Sequence, residues 1–211
     1  MAPVLVCHRG ASALAPENSL QAFRVAMEYG VDFSELDVHV GRAGDLVVTH
    51  DALLDADAER GLPRLADVFD LVRGRMGIYV ELKGEGTGAA LGDLIRRGDA
   101  DGVRLISGSA LLELVRELGA SAPDVPRSIL FTPGWQTRDM IDACRELGAA
   151  YAHPCFRPID AALVQELQRA GLQVMTPHTN DPAEAGFFAE IGVNVVASDD
   201  PRILVALRRA C

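Results

Sequence analysis

Six glycines stand at helix-ending positions along this chain, and a short β-branched or apolar run follows each within a few residues. The stops are Tyr29-Gly30, Arg97-Gly98, Leu118-Gly119, Leu147-Gly148, Ala170-Gly171 and Ile191-Gly192, where a residue free to enter the left-handed region can close a helix. The short runs are Val4 to His8, Phe33 to Val40, Ile78 to Lys83, Gly102 to Ile106, Arg127 to Phe131, Ala150 to His153, Leu172 to Met175 and Asn194 to Ala197. Longer amphipathic stretches fill the intervals. Asn18, Ser109, Asp139, Asp160 and Asp181 stand near helix starts, where their side chains can accept from free backbone N–H groups. Strand and helix thus alternate from end to end, the α/β signature.

Eight strands alternating with helices suit a closed (β/α)8 TIM barrel, and 211 residues fall in the lower part of its size range, about 200 to 250. An open doubly wound sheet is the rival. It would be favoured by a glycine-rich dinucleotide fingerprint, but the first turn reads His8-Arg9-Gly10-Ala11-Ser12-Ala13 and has no G-x-G-x-x-G. Composition nowhere shifts abruptly enough to mark a linker, so residues 1–211 are expected to form a single domain.

In a barrel the chemistry lies at the C-terminal ends of the strands. Period-two alternation in Phe33-Ser34-Glu35-Leu36-Asp37 puts Glu35 and Asp37 on one face, and in Ile78-Tyr79-Val80-Glu81-Leu82-Lys83 it gathers Tyr79, Glu81 and Lys83. Leu36, Val80 and Leu82 belong against outer helices, so the charged set points into the barrel mouth. Three carboxylates converging there repel one another unless protons, cationic side chains or a metal compensate them. Ion pairs with Arg9 and Lys83 are one solution. A hard cation, Mg²⁺, Ca²⁺ or Mn²⁺, is the other, because the ligands on offer are all oxygen.

His8 ends the first strand and His50 ends Leu46-Val47-Val48-Thr49, a run that the tight turn Gly41-Arg42-Ala43-Gly44 folds back beside Glu35 and Asp37. With ordinary pKa values of about 6.5, two imidazoles can divide acid and base duties near neutral pH. Arg9 and Lys83 add fixed positive charge suited to phosphate. The mixture points to phosphoryl chemistry.

The strings His8-Arg9-Gly10, Pro16-Glu17-Asn18-Ser19 with Ala22-Phe23, Glu35-Leu36-Asp37-Val38, Val47-Val48-Thr49-His50-Asp51 and Glu81-Leu82-Lys83 resemble, in order and spacing, the glycerophosphodiester phosphodiesterase family. The family's fold is the same barrel. The resemblance implies hydrolysis of glycerophosphodiesters to glycerol 3-phosphate and an alcohol. It also implies one divalent cation, Mg²⁺ or Ca²⁺ with Mn²⁺ as a further fit, held by Glu35, Asp37 and Glu81. His8 and His50 become the acid/base pair, Arg9 and Lys83 hold phosphate oxygens, and Glu17 and Asn18 shape the first-loop side of the site.

Three departures stand out. The usual Thr-x-Asp-Gly turn reads Gly41-Arg42-Ala43-Gly44, the segment between Asp51 and the helix starting near Pro63-Arg64-Leu65 is short, as in a compact bacterial-type member without the usual insertion, and the late Trp-Thr-Val-Asn motif is Pro177-His178-Thr179-Asn180. The short segment keeps a lysolipid or lipid-headgroup phosphodiesterase in view, and the altered walls keep a non-catalytic phosphometabolite-binding barrel. Trp135, Phe131 and Phe156 are candidates for a pocket wall or for core packing. His153 and His178 stand near later strand ends where each could line a pocket, with a surface or hydrogen-bonded role the expected one and neither assigned to catalysis.

The remaining expectations concern surroundings. A formal net charge of −10 repels phosphate backbones, so nucleic acid is not an expected partner; a small-molecule diester is. No apolar run approaches the ~18 residues of a membrane span, and Met1 to Cys7 leads into His8 and Arg9 without a charged n-region or cleavage site. A cytoplasmic location without stable membrane insertion is therefore expected. Cys7, Cys144, Cys155 and Cys211 lack regular spacing, which favours reduced thiols over disulfides or a zinc site. Nothing in the sequence specifies an oligomeric state.

Overall fold

The computed structural model describes residues 2–53 and 58–210. Cys211 and residues 54–57 of the short segment after Asp51 lie outside the described residues. In chain order the elements are β1 (Val4–Cys7), α1 (Leu20–Tyr29), β2 (Phe33–Val40), β3 (Leu46–Val48), α2 (Leu65–Val72), β4 (Gly77–Leu82), α3 (Thr87–Arg96), β5 (Leu105–Ser109), α4 (Leu112–Ser121), β6 (Arg127–Phe131), α5 (Thr137–Glu146), β7 (Tyr151–Pro154), α6 (Ala161–Arg169), β8 (Gln173–Val174), α7 (Pro182–Glu190), β9 (Val195–Ser198) and α8 (Pro201–Ala210).

Eight of the strands run parallel in the order β8-β7-β6-β5-β4-β2-β1-β9, and β3 pairs antiparallel with β2 as a hairpin. The ends of the sheet nearly meet. Met175 bridges Val195, and the Asn194 and Thr176 amides donate to Val174 and Val195 carbonyls at 3.0 and 3.2 Å. The expected TIM barrel is therefore present.

Its two apolar layers follow from strand alternation. Leu5, Cys7, Leu36, Val38, Val80 and Leu82 face outward into the main core under the helices, and Val6, Phe33, Tyr79, Ile106, Leu130, Met175 and Val195 form a second cluster inside the barrel. Burying each large aliphatic side chain contributes about 2 kcal/mol. The N-terminal end of the barrel is closed by the Phe33 ring, which occupies the space that a side chain on Gly77 would need, with the Arg104 guanidinium 4.9 Å from its centroid. The opposite end stays open.

Helix ends follow local chemistry with exceptions. Asp160 and Asp181 cap α6 and α7, but α1 is capped by Ser19, whose hydroxyl accepts from the Ala22 amide at 3.1 Å. Asn18 and Asp139 do not serve as caps, Asp139 lying inside α5, whereas Ser109, although the last residue of β5, accepts from the Leu111 amide at 3.1 Å just ahead of α4. Five of the six expected glycine stops have positive φ, whereas Gly119 lies within α4, which runs on to Ser121. The fourth parallel strand, β5, also sits further along than Gly102 to Ile106, because Gly102 is a turn residue at φ 76.

Candidate active site

Parallel register builds an acidic wall at the open end. Asp37 on β2 pairs directly with Glu81 on β4, and Glu35 lies two residues earlier on the same inward face. Oxygen atoms of the three carboxylates lie within 4.8 Å of one another. Glu35 and Asp37 are buried, and Glu81 is partly so. Cations compensate part of this charge. Lys83 Nζ lies 2.6 Å from Glu81 and 3.1 Å from Asp37, and Arg9 Nε lies 3.2 Å from Asp37.

Glu35 is left outside those ion pairs. Its Oε2 accepts from the Arg9 amide at 2.9 Å, but its buried Oε1 has no hydrogen-bond partner among the described residues. Burial, then the neighbouring charges of Asp37 and Glu81, holds the Glu35 carboxyl well above the usual carboxylate range. Burial raises Glu81 as well, against the pull of Lys83. Burial disfavours the Lys83 ammonium, yet Glu81 and Asp37 together hold its pKa above the ordinary value. Ion pairing alone therefore leaves the cluster short of positive charge.

The first loop ties itself to this wall by backbone conformation. Arg9 and Asn18 adopt positive φ, 56° and 54°, which costs most side chains energy. The conformations turn the Arg9 amide to Glu35 and the Asn18 amide group to Asp37, 3.0 Å from Oδ2. Gly10, at φ 77, packs on α1 where a Cβ would meet Ala22 atoms at 2.6 and 2.9 Å. The exposed Glu17 carboxylate receives the Arg9 guanidinium at 3.0 and 3.1 Å.

His8 follows β1 directly and faces inward in step with Val4 and Val6. Its Nδ1 lies 2.7 Å from Asp199 Oδ1, and Asn180 donates to the other oxygen of Asp199 at 2.6 Å. Burial pushes the Asp199 carboxyl up, but hydrogen bonds from His8 and Asn180 outweigh it and leave the group below the ordinary range. His178 stacks face to face on His8, with centroids 4.0 Å apart and planes 7° apart. Burial, then the charge of His8, lowers the His178 pKa. Asp199 is a functional candidate missed at the sequence level, although Val195, Ala197 and Asp199 continue one inward period-two face, and His178, weighed there as a pocket-lining residue, does border the site. A second group of possible ligand atoms, His8, His178 and Asp199, also lies within 4.8 Å, but stacked imidazoles aim their in-plane lone pairs in parallel, not at a common ion.

The cavity between these groups has a volume of about 620 Å³ and is bordered by His8, Glu35 and Glu81 on one side and by the β6 to β9 strand ends on the other. His50 does not border it. That ring opens on a neighbouring recess of about 90 Å³ with Glu17, Asn18 and Thr49, and its Nδ1 lies 3.1 Å from Asp51. Asn18 links the two spaces, since it borders the recess and donates to Asp37. Trp135 packs edge-on against Phe131 at 5.1 Å in the outer core, and Phe156 packs there too. His153 is hydrogen-bonded as expected, through Nε2 to the Thr176 carbonyl at 3.0 Å, and it borders the cavity.

Comparison with known proteins agrees with this geometry. The model of the glycerophosphoryl diester phosphodiesterase family matches residues 8–72, from the first histidine to the end of α2. A glycerophosphodiester phosphodiesterase of Caldanaerobacter subterraneus is 26% identical over 99% of both chains. A glycerophosphodiester phosphodiesterase of Agrobacterium tumefaciens superposes with a TM-score of 0.77 and 25% identity, covering 98% of this chain and 100% of that one. A phosphodiesterase of Oleispira antarctica, solved in complex with the product sn-glycerol-3-phosphate, superposes with a TM-score of 0.85 at 23% identity, covering 99% and 97%. The family model thus covers the motif-bearing first third of the chain, and over its full length the chain is similar to glycerophosphodiester phosphodiesterases in sequence and fold.

Proposed function

We propose that this chain, acting as one barrel domain, is a divalent-cation-dependent phosphodiesterase that hydrolyses glycerophosphodiesters to glycerol 3-phosphate and an alcohol. The observation that carries the metal-dependent reading is Glu35 Oε1, a buried acceptor without a donor, inside a three-carboxylate cluster beside the His8–Asp199 pair. An all-oxygen set of this kind fits a hard cation such as Mg²⁺, Ca²⁺ or Mn²⁺. Held by Glu35, Asp37 and Glu81, the ion would supply positive charge against the negative charge that builds on the phosphate oxygens.

The protein groups carry the rest of the chemistry. Asp199 accepts from His8 Nδ1–H, which fixes the tautomer and leaves Nε2 to exchange the travelling proton. Asp51 gives His50 the same arrangement at 3.1 Å, on the far side of Asn18. The two imidazoles divide removal of the nucleophile's proton from protonation of the leaving alkoxide. Lys83 and Arg9 offset the acidic wall and offer their remaining donors to phosphate oxygens, while Glu17 and Asn18 hold Arg9 and Asp37 in place.

Phosphorus NMR tests the reading. Metal-stripped protein is incubated with glycerophosphocholine, glycerophosphoethanolamine and a lysolipid, with Mg²⁺ or Ca²⁺ then restored. Glycerol 3-phosphate is expected only after metal is restored. Cyclic phosphate from the lysolipid alone would transfer the activity to lipid headgroups, and no product from any diester would sink the proposal.

A further inference from the structure

Beyond the acidic wall, the cavity continues into the barrel. Its floor consists of Val6 on β1, Leu130 on β6, Met175 after β8, and Val195 and Ala197 on β9, with Cys155 at the side. Four of these, Val6, Leu130, Met175 and Val195, are inward-facing members of the inner apolar cluster.

The polar groups bordering the floor are spent on one another. His153 Nε2 faces the Thr176 carbonyl at 3.0 Å, so it carries the ring proton, and Nδ1 is left to accept from the Tyr79 hydroxyl at 3.4 Å. The Thr176 hydroxyl donates to the Val195 carbonyl at 3.4 Å, and the Cys155 thiol to the His153 carbonyl at 3.5 Å. Enclosure keeps these groups neutral, with His153 pushed down to about 4 and Cys155 up to about 12. Charged side chains border the cavity elsewhere, at Glu35, Glu81 and His8 and, on the opposite rim, at Arg157 and Asp181. Arg157 is itself engaged by Glu184 at 2.6 and 2.9 Å.

Resting on the phosphodiesterase reading, the geometry points to a subsite in this floor for an uncharged, hydrocarbon-rich alcohol substituent of the phosphodiester. Continuity with the carboxylate wall argues for the occupant: a phosphate held beside that wall by the cation and Lys83 would extend one ester arm along the floor. A cationic headgroup such as a trimethylammonium would surrender its hydration there, and the carboxylates nearest the floor, Glu35 and Glu81, are the ones the proposed function gives to the metal. A polyol would find donors and acceptors already paired. A short alkyl chain loses nothing and removes apolar surface from water.

The test is a calorimetric titration of the Mg²⁺-loaded protein with methyl, ethyl, propyl and butyl phosphate and with phosphocholine, which reads binding without turnover. Affinity is expected to rise about three- to fourfold per added methylene, with phosphocholine about tenfold weaker than butyl phosphate. A flat alkyl series, tighter binding of phosphocholine, or no binding of any member would overturn the subsite. Turnover of glycerophosphodiesters, measured separately, judges the phosphodiesterase reading, so either can fall alone. Ala197→Leu, which fills the floor, is expected to flatten the alkyl series, and Ala197→Glu to invert the order of butyl phosphate and phosphocholine. Unchanged selectivity in both folded variants would also overturn it.

Discussion

Replacing Glu35 by glutamine should stabilise the metal-free protein while removing its activity. In the metal-free state Glu35 lies within 4.8 Å of the Asp37 and Glu81 oxygens, and at an effective dielectric of about 20 each such repulsion is worth roughly 3.5 kcal/mol. Lys83 and Arg9 offset part of this, because both pair with Asp37 and Lys83 also pairs with Glu81. A net relief of roughly 2 kcal/mol remains. Glutamine keeps the shape and can still accept from the Arg9 amide, so the gain is electrostatic. For a chain of this size it raises Tm by roughly 4–8 °C.

The sign also fixes a pH dependence. Glu35 and Glu81 have folded-state pKa values raised above the ordinary one, chiefly by burial. Their contribution is fully favourable below the ordinary carboxylate pKa and is lost as pH rises through the raised values. Thermal melts in chelator should therefore show wild type losing stability as pH rises through that window, with Glu35→Gln losing less. Mg²⁺ added at pH 8 should raise the wild-type Tm and leave the variant unmoved. A variant melting below wild type in chelator at pH 8 would refute the reasoning, since the cluster would then be held together by its charges, not strained by them.

Four further outcomes are expected. Asp199→Asn leaves the Nδ1 contact of His8 in place but removes its charge, so kcat should fall by roughly 10²-fold with KM little changed, read by steady-state kinetics. His178→Phe keeps the stack on His8 and should hold kcat within about threefold, whereas His178→Ala should lose about tenfold; equal losses would deny the stack a role. Gly10→Ala forces a Cβ against Ala22 at positive φ and should cost about 3 kcal/mol in urea unfolding. The thiols of Cys7 and Cys144, pushed up to about 12 by burial, should resist iodoacetamide at pH 8 in native protein, as read by peptide mass spectrometry.

The legible parts of the molecule were those governed by a period. Alternation placed Glu35, Asp37 and Glu81 on inward faces, and the structure finds them there because Leu36, Val80 and Leu82 bury outward at under 2% exposure. Where the period was masked, the reading slipped. The second half of β5, Ser107-Gly108-Ser109, looks like a loop, yet Ser107 and Ser109 donate to the Val80 and Leu82 carbonyls at 2.9 and 2.7 Å, and Gly108 allows β6 to approach. Gly119 reads as a stop but α4 continues, its end set by the Ala122 amide donating to the Leu118 carbonyl at 2.7 Å. The partners of His8 were harder to see. Asp199 and His178 lie 191 and 170 residues away along the chain, and only barrel closure between β1 and β9 brings Asp199 to Nδ1.

Among the described residues no helix is long and apolar enough to cross a membrane. With three carboxylates on adjacent strands, Lys83 and Arg9 offset part of the negative charge through their ion pairs with Asp37 and Glu81. They still leave Glu35 Oε1 without a partner.

The central claim is tested most directly by titrating metal-stripped protein with Mn²⁺ while following free Mn²⁺ by electron paramagnetic resonance and glycerol 3-phosphate release from a glycerophosphodiester in the same samples. Turnover should rise in proportion to bound Mn²⁺ and level off at about one ion per chain, with neither tight binding nor turnover in Glu35→Gln. Full turnover by metal-stripped wild-type protein in the presence of chelator would contradict the account.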